Sequence, residues 1–211
     1  IQYHLIARAR RLQRTIKGDA PTSPPSNLRR FKAPGCETFF GYYDLSPLHA
    51  NGERLLATAV PGFMGHPNGK GAARVGYFDL TTVDAFHDIG QTDTWCSQMG
   101  CRLRWFPNPE GTHVAYNVLV DGTHRTVIQD IDDAADKTYL PMALYDISRD
   151  GKFGLSLNFS RLGWLRAGYG YAVGGDPHDT DRCPKGEGVW HIDIATEQCT
   201  LIVSLDELVT I

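Results

Sequence analysis

Three turns that end in glycine, each followed by a strand-like run, recur along this chain and constrain its fold most strongly. The turns are Asn51-Gly52, Glu110-Gly111 and Asp150-Gly151, and the runs behind them are residues 53–60, 112–120 and 152–159. A second strand-like run follows in each case, at residues 74–80, 126–131 and 188–194. Repetition of a unit of short strands along one chain is typical of a β-propeller, in which each blade is a four-stranded sheet.

Each repeat has room for four strands, and we predict three such units. The predicted strands are 38–45, 53–60, 74–80 and 83–89 in the first unit, 102–106, 112–120, 126–131 and 137–140 in the second, and 143–147, 152–159, 188–194 and 198–203 in the third. We therefore predict an all-β fold with propeller-type repeats, and an antiparallel sandwich is the alternative. Because propellers close with about four to eight blades, three units require the rest of the ring from a longer chain or from another copy.

The composition indicates a soluble globular protein. Of 211 residues, 42% are apolar and 21% are charged, and the formal net charge is −3. A chain without a broad positive field is not expected to bind nucleic acid. The five cysteines lack paired spacing, which argues against a disulfide scaffold and favours a reducing compartment, so we expect a cytoplasmic protein.

The first 35 residues differ in composition from the rest of the chain. Residues 1–17 place basic side chains among leucine and isoleucine at helical spacing, which predicts a short basic amphipathic helix. Such a helix either packs on one face with its basic side in solvent or contacts a membrane surface or a partner. Residues 18–35 are rich in proline and serine and are predicted to be a linker, which leaves residues 36–211 as a partial propeller domain.

Three long insertions are predicted to lie on one face of the propeller. They are residues 61–72, 90–100 and 160–187. Connections between the second and third strands of a blade reach the same rim as the connections between blades. Polar and aromatic loops gathered on one face predict a binding surface, and the alternative is that they cap the channel.

The last of these loops contains the most suggestive side chains. Trp164, Tyr169 and Tyr171 offer flat apolar faces with polar edges, and Arg161 and Arg166 offer forked donors. This mixture suits the apolar faces and hydroxyl edges of sugars, including acidic sugars. The alternative is that the aromatic side chains anchor a long loop.

Further candidates lie on or beside the inner strands of the predicted blades. Tyr43 and Asp44 belong to the first unit, Gln98 and Arg102 to the second, and Asn158 to the third. We expect these side chains to line the channel and contact a ligand. Asp44 has a second interpretation, in which its carboxylate accepts from backbone amides of the following turn, and that one is favoured.

No metal site is predicted. The eight histidines form no HExxH or HxH pair. The segment DPHDTD (176–181) alternates oxygen ligands with an imidazole, but a charge-rich solvated loop is favoured over a Mn²⁺ or Ca²⁺ site. Motifs of nucleophilic hydrolases and of nucleotide-binding loops are absent from the sequence.

Four segments carry a resemblance to known propeller proteins. They are ETFFGYYDLSP (37–47), CRLRWFPNPEG (101–111), LSLNFSRL (155–162) and RAGYGY (166–171). They resemble uncharacterised bacterial β-propeller proteins associated with polysaccharide biosynthesis and, more distantly, TolB-like propellers and oligogalacturonate lyase. The resemblance spans roughly residues 34–205 and implies a propeller in a carbohydrate context. The metal-holding histidines and glutamine that the lyase resemblance implies have no residue-by-residue counterparts here.

We therefore expect a carbohydrate-binding or scaffold protein whose ligand is a poly- or oligosaccharide. One alternative is a polysaccharide lyase or hydrolase that uses Mn²⁺ or Ca²⁺ near Asp44, Gln98 or His178, and outside that alternative no cofactor is expected. Another alternative is a protein-interaction platform without a small ligand. The sequence assigns no catalytic residue.

Overall fold

The computed structural model describes residues 28–61, 69, 71–82, 85–108 and 111–210. The chain divides into two compact units, Ile1–Arg30 and Phe31–Ile211, and all strands and helices given below belong to the second. The helix predicted for residues 1–17, the linker as far as residue 27 and most of the loop 61–72 lie outside the described residues.

In the described part of the chain, twelve strands form three four-stranded antiparallel sheets in which the strands follow chain order. The first sheet contains β1 (Glu37–Phe39), β2 (Arg54–Val60), β3 (Ala73–Asp79) and β4 (Phe86–Thr92). The second contains β5 (Arg104–Trp105), β6 (His113–Val120), β7 (Thr123–Asp130) and β8 (Lys137–Leu140). The third contains β9 (Leu144–Ile147), β10 (Phe153–Ser156), β11 (Gly188–Asp193) and β12 (Cys199–Ser204). The predicted all-β class and the grouping into three four-stranded units are confirmed.

Three predicted strands are clearly shorter than expected, and the one predicted for 102–106 is confined to Arg104–Trp105. The strand predicted for 38–45 ends at Phe39, because Gly41 adopts a φ of 150° and a Cβ there would lie 2.9 Å from the Met99 carbonyl oxygen. The strand predicted for 152–159 ends at Ser156, because the chain then enters a helix.

Two short helices complete the described elements. Helix α1 (Phe159–Leu165) corrects the prediction that residues 160–187 form a loop, and the side chain of Asn158 caps it. Helix α2 (Leu205–Val209) begins with a capping box of Ser204 and Glu207. Among the described residues no helix has the length and apolar character needed to cross a lipid bilayer.

The second sheet packs between the other two, and its long strand β6 has a buried side chain on each face. Val114 and Tyr116 cluster with Leu56 of the first sheet, whereas Ala115 clusters with Ile192 of the third. This alternation follows from the two-residue period of a strand. Each fully buried aliphatic side chain of this size contributes about 1.5–3 kcal/mol, so the two interfaces hold the sheets together.

The faces turned away from the second sheet differ between the first and third sheets. On the first sheet, Ala33 and Cys36 pack against Ala59, and the ring of Phe31 lies 5.3 Å from that of Phe78. On the third sheet, Phe153 and Leu155 alternate with buried residues of β10 and are 42% and 38% exposed. The first sheet is therefore covered by residues 31–36, while the third presents an open apolar face.

A buried arginine joins the beginnings of all three sheets. The guanidinium of Arg102, which precedes β5, donates to both carboxylate oxygens of Asp44 at 3.2 and 2.9 Å. It also donates to the carbonyl oxygen of Tyr145 in β9 at 2.9 and 2.6 Å, and it lies 4.4 Å from the centre of the Tyr145 ring. Arg104 donates to the same carbonyl and to Asp146, each at 2.6 Å. Arg102, which precedes β5, thus connects a residue that follows β1 with a residue of β9.

Replacement of this arginine tests its structural role. Arg102→Met should lower the free energy of unfolding by about 3 kcal/mol, because it leaves Asp44 and the Tyr145 carbonyl without their main donor. The matched control is Arg74→Met, since Arg74 pairs with Asp88 in a more exposed position and should cost about 1 kcal/mol or less. Denaturant unfolding measures both values, and equal losses would contradict the assigned role.

Candidate functional site

A cleft of about 530 Å³ lies between the second and third sheets. One wall is formed by Gly122 in the turn between β6 and β7 and by Thr123 and His124 at the start of β7. The opposite wall consists of the end of β10, the start of α1 and the side chain of Trp190 in β11. Asp176, from the middle of the segment that joins α1 to β11, and Glu187, from its end, also line the cleft. A volume in this range is typical of small-molecule sites in proteins.

Asn158 organises the polar side of the cleft. Its side-chain oxygen caps α1 by accepting from the amide of Arg161 at 2.9 Å. Its side-chain nitrogen then faces away from the helix and donates to one oxygen of Asp176 and one of Glu187, each at 3.1 Å. The helix cap therefore fixes the position of two carboxylates that are distant in sequence.

Asp176 is an ionised carboxylate that the fold already satisfies. Its side chain is 1% exposed and accepts from Arg161 at 2.8 Å, from the indole nitrogen of Trp164 at 3.2 Å and from the amide of His178 at 3.0 Å. Burial alone would raise the pKa of Asp176. The hydrogen bonds from His178 and Trp164 and the charge of Arg161 outweigh burial and lower this pKa.

Glu187 has the opposite electrostatic environment. Burial raises its pKa, the hydrogen bond from Asn158 opposes that shift, and the negative charge of Asp176 adds to it. The backbone of Glu187 is held on both sides, since its amide donates to Pro184 at 3.2 Å and its carbonyl accepts from Leu205 at 2.8 Å. The cleft thus contains one carboxylate that is paired with an arginine and one whose hydrogen-bond partner is a neutral amide, with the charges of His178 and Arg161 acting on it only through space.

Arg161 and Tyr171, predicted as ligand contacts, instead support the cleft from behind. Arg161 is 5% exposed, and its donors go to Asp176 and to the carbonyls of His178 and Asp181. Tyr171 is 3% exposed, stacks on Phe159 with ring centres 4.6 Å apart, and its pKa is raised by burial. Both side chains anchor the segment that follows α1.

Three of the predicted aromatic and arginine residues meet in a partly exposed patch whose Tyr42 and Tyr169 pack against the buried cluster that contains Phe159 and Tyr171. The patch consists of Tyr42, Tyr43, Arg166 and Tyr169. Tyr43 is 86% exposed and its ring lies 4.3 Å from that of Tyr42, which contacts Tyr169 edge-on at 5.8 Å. The guanidinium of Arg166 lies 4.0 Å from the centre of the Tyr169 ring. This aromatic patch is a second surface on which a partner could be recognised.

The remaining predicted residues lie in different surroundings. Trp164 is 51% exposed and donates to Asp176, and Gln98 is exposed while its amide donates to the Gly168 carbonyl at 3.2 Å. Asp44 accepts from Arg102, a partner that neither interpretation of Asp44 had included. The indole nitrogen of Trp95 donates to the Gly71 carbonyl at 2.8 Å. Contacts between the three predicted loops therefore exist at Gln98 and at Trp95.

Sequence reasoning did not single out Glu187, Trp190, Thr123 or His124. Alternation in β11 identifies Trp190 as part of a strand, but no local pattern relates it to the turn of another sheet. A second group missed from sequence is His113, Asp130 and Asp136, whose candidate ligand atoms lie within 4.8 Å of one another on the second sheet. Their separation along the chain explains why a search for local metal motifs does not find them.

Comparisons with known proteins identify no family. No protein-family model matches the sequence, and no curated protein matches it. Among solved structures, an apo structure of the isopeptidase AtxE2 is similar, with a TM-score of 0.42 and 12% sequence identity. The match covers 80% of this chain and 30% of the isopeptidase chain, so the chain spans less than a third of that protein. Similarity at this level assigns neither a family nor an activity.

The two carboxylates should respond in opposite directions to isosteric replacement. Asp176→Asn should cost about 3 kcal/mol at neutral pH, because it removes one partner of a buried ion pair. Glu187→Gln should instead increase the free energy of unfolding at about pH 7, because a raised pKa means that ionisation of Glu187 weakens the folded state.

The pH dependence follows from the same shifts. Ionised Asp176 stabilises the folded state fully above the ordinary aspartate pKa of about 3.9, and this stabilisation is lost as the pH falls through the lowered pKa of Asp176. Ionisation of Glu187 lowers the free energy of unfolding as the pH rises from about 4.3 through the raised pKa of Glu187. The stability gained by Glu187→Gln should therefore vanish in acid. Denaturant unfolding at several pH values measures both effects. A loss of stability for Glu187→Gln at neutral pH would contradict the assigned environment.

Proposed function

We propose that this chain binds carbohydrate in the cleft between the second and third sheets. The observation that carries the proposal is the combination of an indole wall with neutral and charged hydrogen-bonding groups. Trp190 supplies a flat apolar surface, which suits the C–H face of a sugar ring. The hydroxyl of Thr123 and the carboxylate of Glu187 supply polar groups for sugar hydroxyls, and Asn158 holds that carboxylate in place.

Binding fits this arrangement better than hydrolysis or lyase chemistry. Glycosidases commonly place two carboxyl groups where both reach the scissile bond. The side chain of Asp176 is 1% exposed and accepts from Arg161, Trp164, Asn158 and an amide, so protein donors already occupy its carboxylate. Asp44, considered for a metal under the enzyme alternative, is likewise paired with a guanidinium.

We further propose that the three sheets are blades of a β-propeller. In support, each sheet is a meander of four strands in chain order, and Arg102 joins the first strands or their flanking residues. The open apolar face of the third sheet, with Phe153 and Leu155, suits a further four-stranded sheet from the same or another copy.

Replacement of the indole tests the binding proposal. Trp190→Ala should weaken binding to oligosaccharides by roughly tenfold to a hundredfold, because it removes the main apolar contact of the cleft. Calorimetric titration with a panel of neutral, amino and acidic oligosaccharides measures the loss, and thermal unfolding checks that the variant is folded.

The control distinguishes the cleft from the aromatic patch. Tyr43→Ala removes an 86% exposed ring of the patch and should leave sugar binding unchanged. Loss of binding in Tyr43→Ala but not in Trp190→Ala would move the site to the patch. Absence of binding to every oligosaccharide would overturn the proposal and favour the alternative of a protein-interaction platform.

The propeller proposal has its own test. Because an open apolar face associates with a complementary one, the chain should self-associate in solution, and light scattering should show a mass above 23.4 kDa. The double variant Phe153→Lys/Leu155→Lys should shift the mass to that of a monomer, whereas Arg74→Met should not. A monomeric unaltered chain would count against the proposed packing of a further sheet.

A further inference from the structure

We propose that the cleft selects sugars that carry a free amino group, and that Glu187 holds the ammonium. This inference rests on the proposed carbohydrate function and deepens it by naming the ligand class. It assigns to Glu187 a role in specificity, while Trp190 and Thr123 supply the contacts that any sugar would use.

The distribution of charge around the cleft carries the inference. Asp176 and Arg161 lie 2.8 Å apart with side chains 1% and 6% exposed, so their charges cancel within the fold. Glu187 accepts from the neutral amide of Asn158 at 3.1 Å. Among the described residues that line the cleft, there is no lysine or arginine. The cleft therefore presents a carboxylate whose charge no lining group neutralises.

An ammonium group matches this carboxylate for three reasons. It is compact, carries three donors and forms charge-assisted hydrogen bonds with carboxylates that are stronger than neutral ones. One Glu187 oxygen accepts from Asn158, and the remaining acceptor positions suit a second donor. Glu187 is half-buried, where its ionised form is disfavoured, so a bound cation would relieve that cost.

Acidic sugars are disfavoured by the same residues. Arg161 and Arg166, the guanidinium groups predicted to recognise acidic carbohydrate, do not line the cleft. Arg161 donates hydrogen bonds to Asp176 and to two carbonyl oxygens, and the guanidinium of Arg166 lies over the ring of Tyr169 in the aromatic patch. A carboxylate on the ligand would meet Glu187 without a compensating cation, and like charges at short distance repel.

Matched oligosaccharides provide the test. Calorimetric titration compares a β-1,4-linked glucosamine tetramer with its fully N-acetylated counterpart, in buffer that keeps the amines protonated. Acetylation removes the charge and preserves the ring and linkage, so the amine should bind about tenfold more tightly. Glu187→Gln, which keeps the side-chain shape, should abolish this preference. The control Glu37→Gln removes an exposed carboxylate of the first sheet and should retain it.

The outcomes separate this inference from the function on which it rests. A preference that disappears in Glu187→Gln and persists in Glu37→Gln supports the assignment. Equal or tighter binding of the acetylated tetramer overturns the amine inference and leaves carbohydrate binding intact. If Glu187→Gln still prefers the amine tetramer, the preference arises from general charge attraction, and this outcome also overturns the inference. Binding of neither tetramer nor any other sugar overturns both proposals.

Discussion

The fold depends on a charged group buried where three sheets begin. Arg102 adopts a φ of 56°, a conformation that costs a non-glycine residue about 1–2 kcal/mol, and its side chain is 1% exposed. Burial of a guanidinium is costly unless it is paired and hydrogen-bonded. Asp44 supplies the charge and the Tyr145 carbonyl supplies the acceptor, and these contacts offset both costs. Because the partners come from different sheets, the arginine stabilises only the arrangement in which all three sheets are in place.

Two buried guanidinium groups, those of Arg102 and Arg104, lie close together at this junction, and this proximity constrains the positions of both side chains. Arg104 reaches the same Tyr145 carbonyl, and burial and the neighbouring Arg102 lower the pKa of Arg104, while Asp146 opposes that shift. Each of the two guanidinium groups that donate to this carbonyl needs a carboxylate to balance its charge. Asp44 supplies the carboxylate for Arg102, and Asp146 supplies the one for Arg104. The junction therefore determines how the second and third sheets meet, and the cleft lies between those two sheets.

The sequence predicted the strands well and the cleft poorly, for physical reasons. Residues 137–140 were predicted as a strand and form β8, because turn chemistry and two-residue alternation are local signals. Helix α1 was missed because FSRLGWL is only seven residues long and contains Gly163, and its stability comes from the Asn158 cap and from burial of Phe159. Arg161 was predicted to contact a ligand, but in the structure it is buried and pairs with Asp176 behind the cleft. The contact between Asn158 and Glu187 spans 29 residues, which no local pattern reveals.

The two carboxylates of the cleft differ in role: Asp176 stabilises the fold, whereas Glu187 is the one that we assign to ligand binding. An ion pair that is complete within the fold, such as Asp176 with Arg161, contributes to stability whether or not a ligand is present. A half-buried carboxylate with a neutral partner weakens the free protein, and a ligand that supplies the missing charge recovers that free energy as affinity. Proteins retain such locally unfavourable groups where binding or catalysis needs them. Under the proposed carbohydrate function, the cost at Glu187 fits recognition of a positively charged ligand, whereas two-carboxylate glycoside hydrolysis would need a second carboxylate that Asp176, paired with Arg161, does not supply.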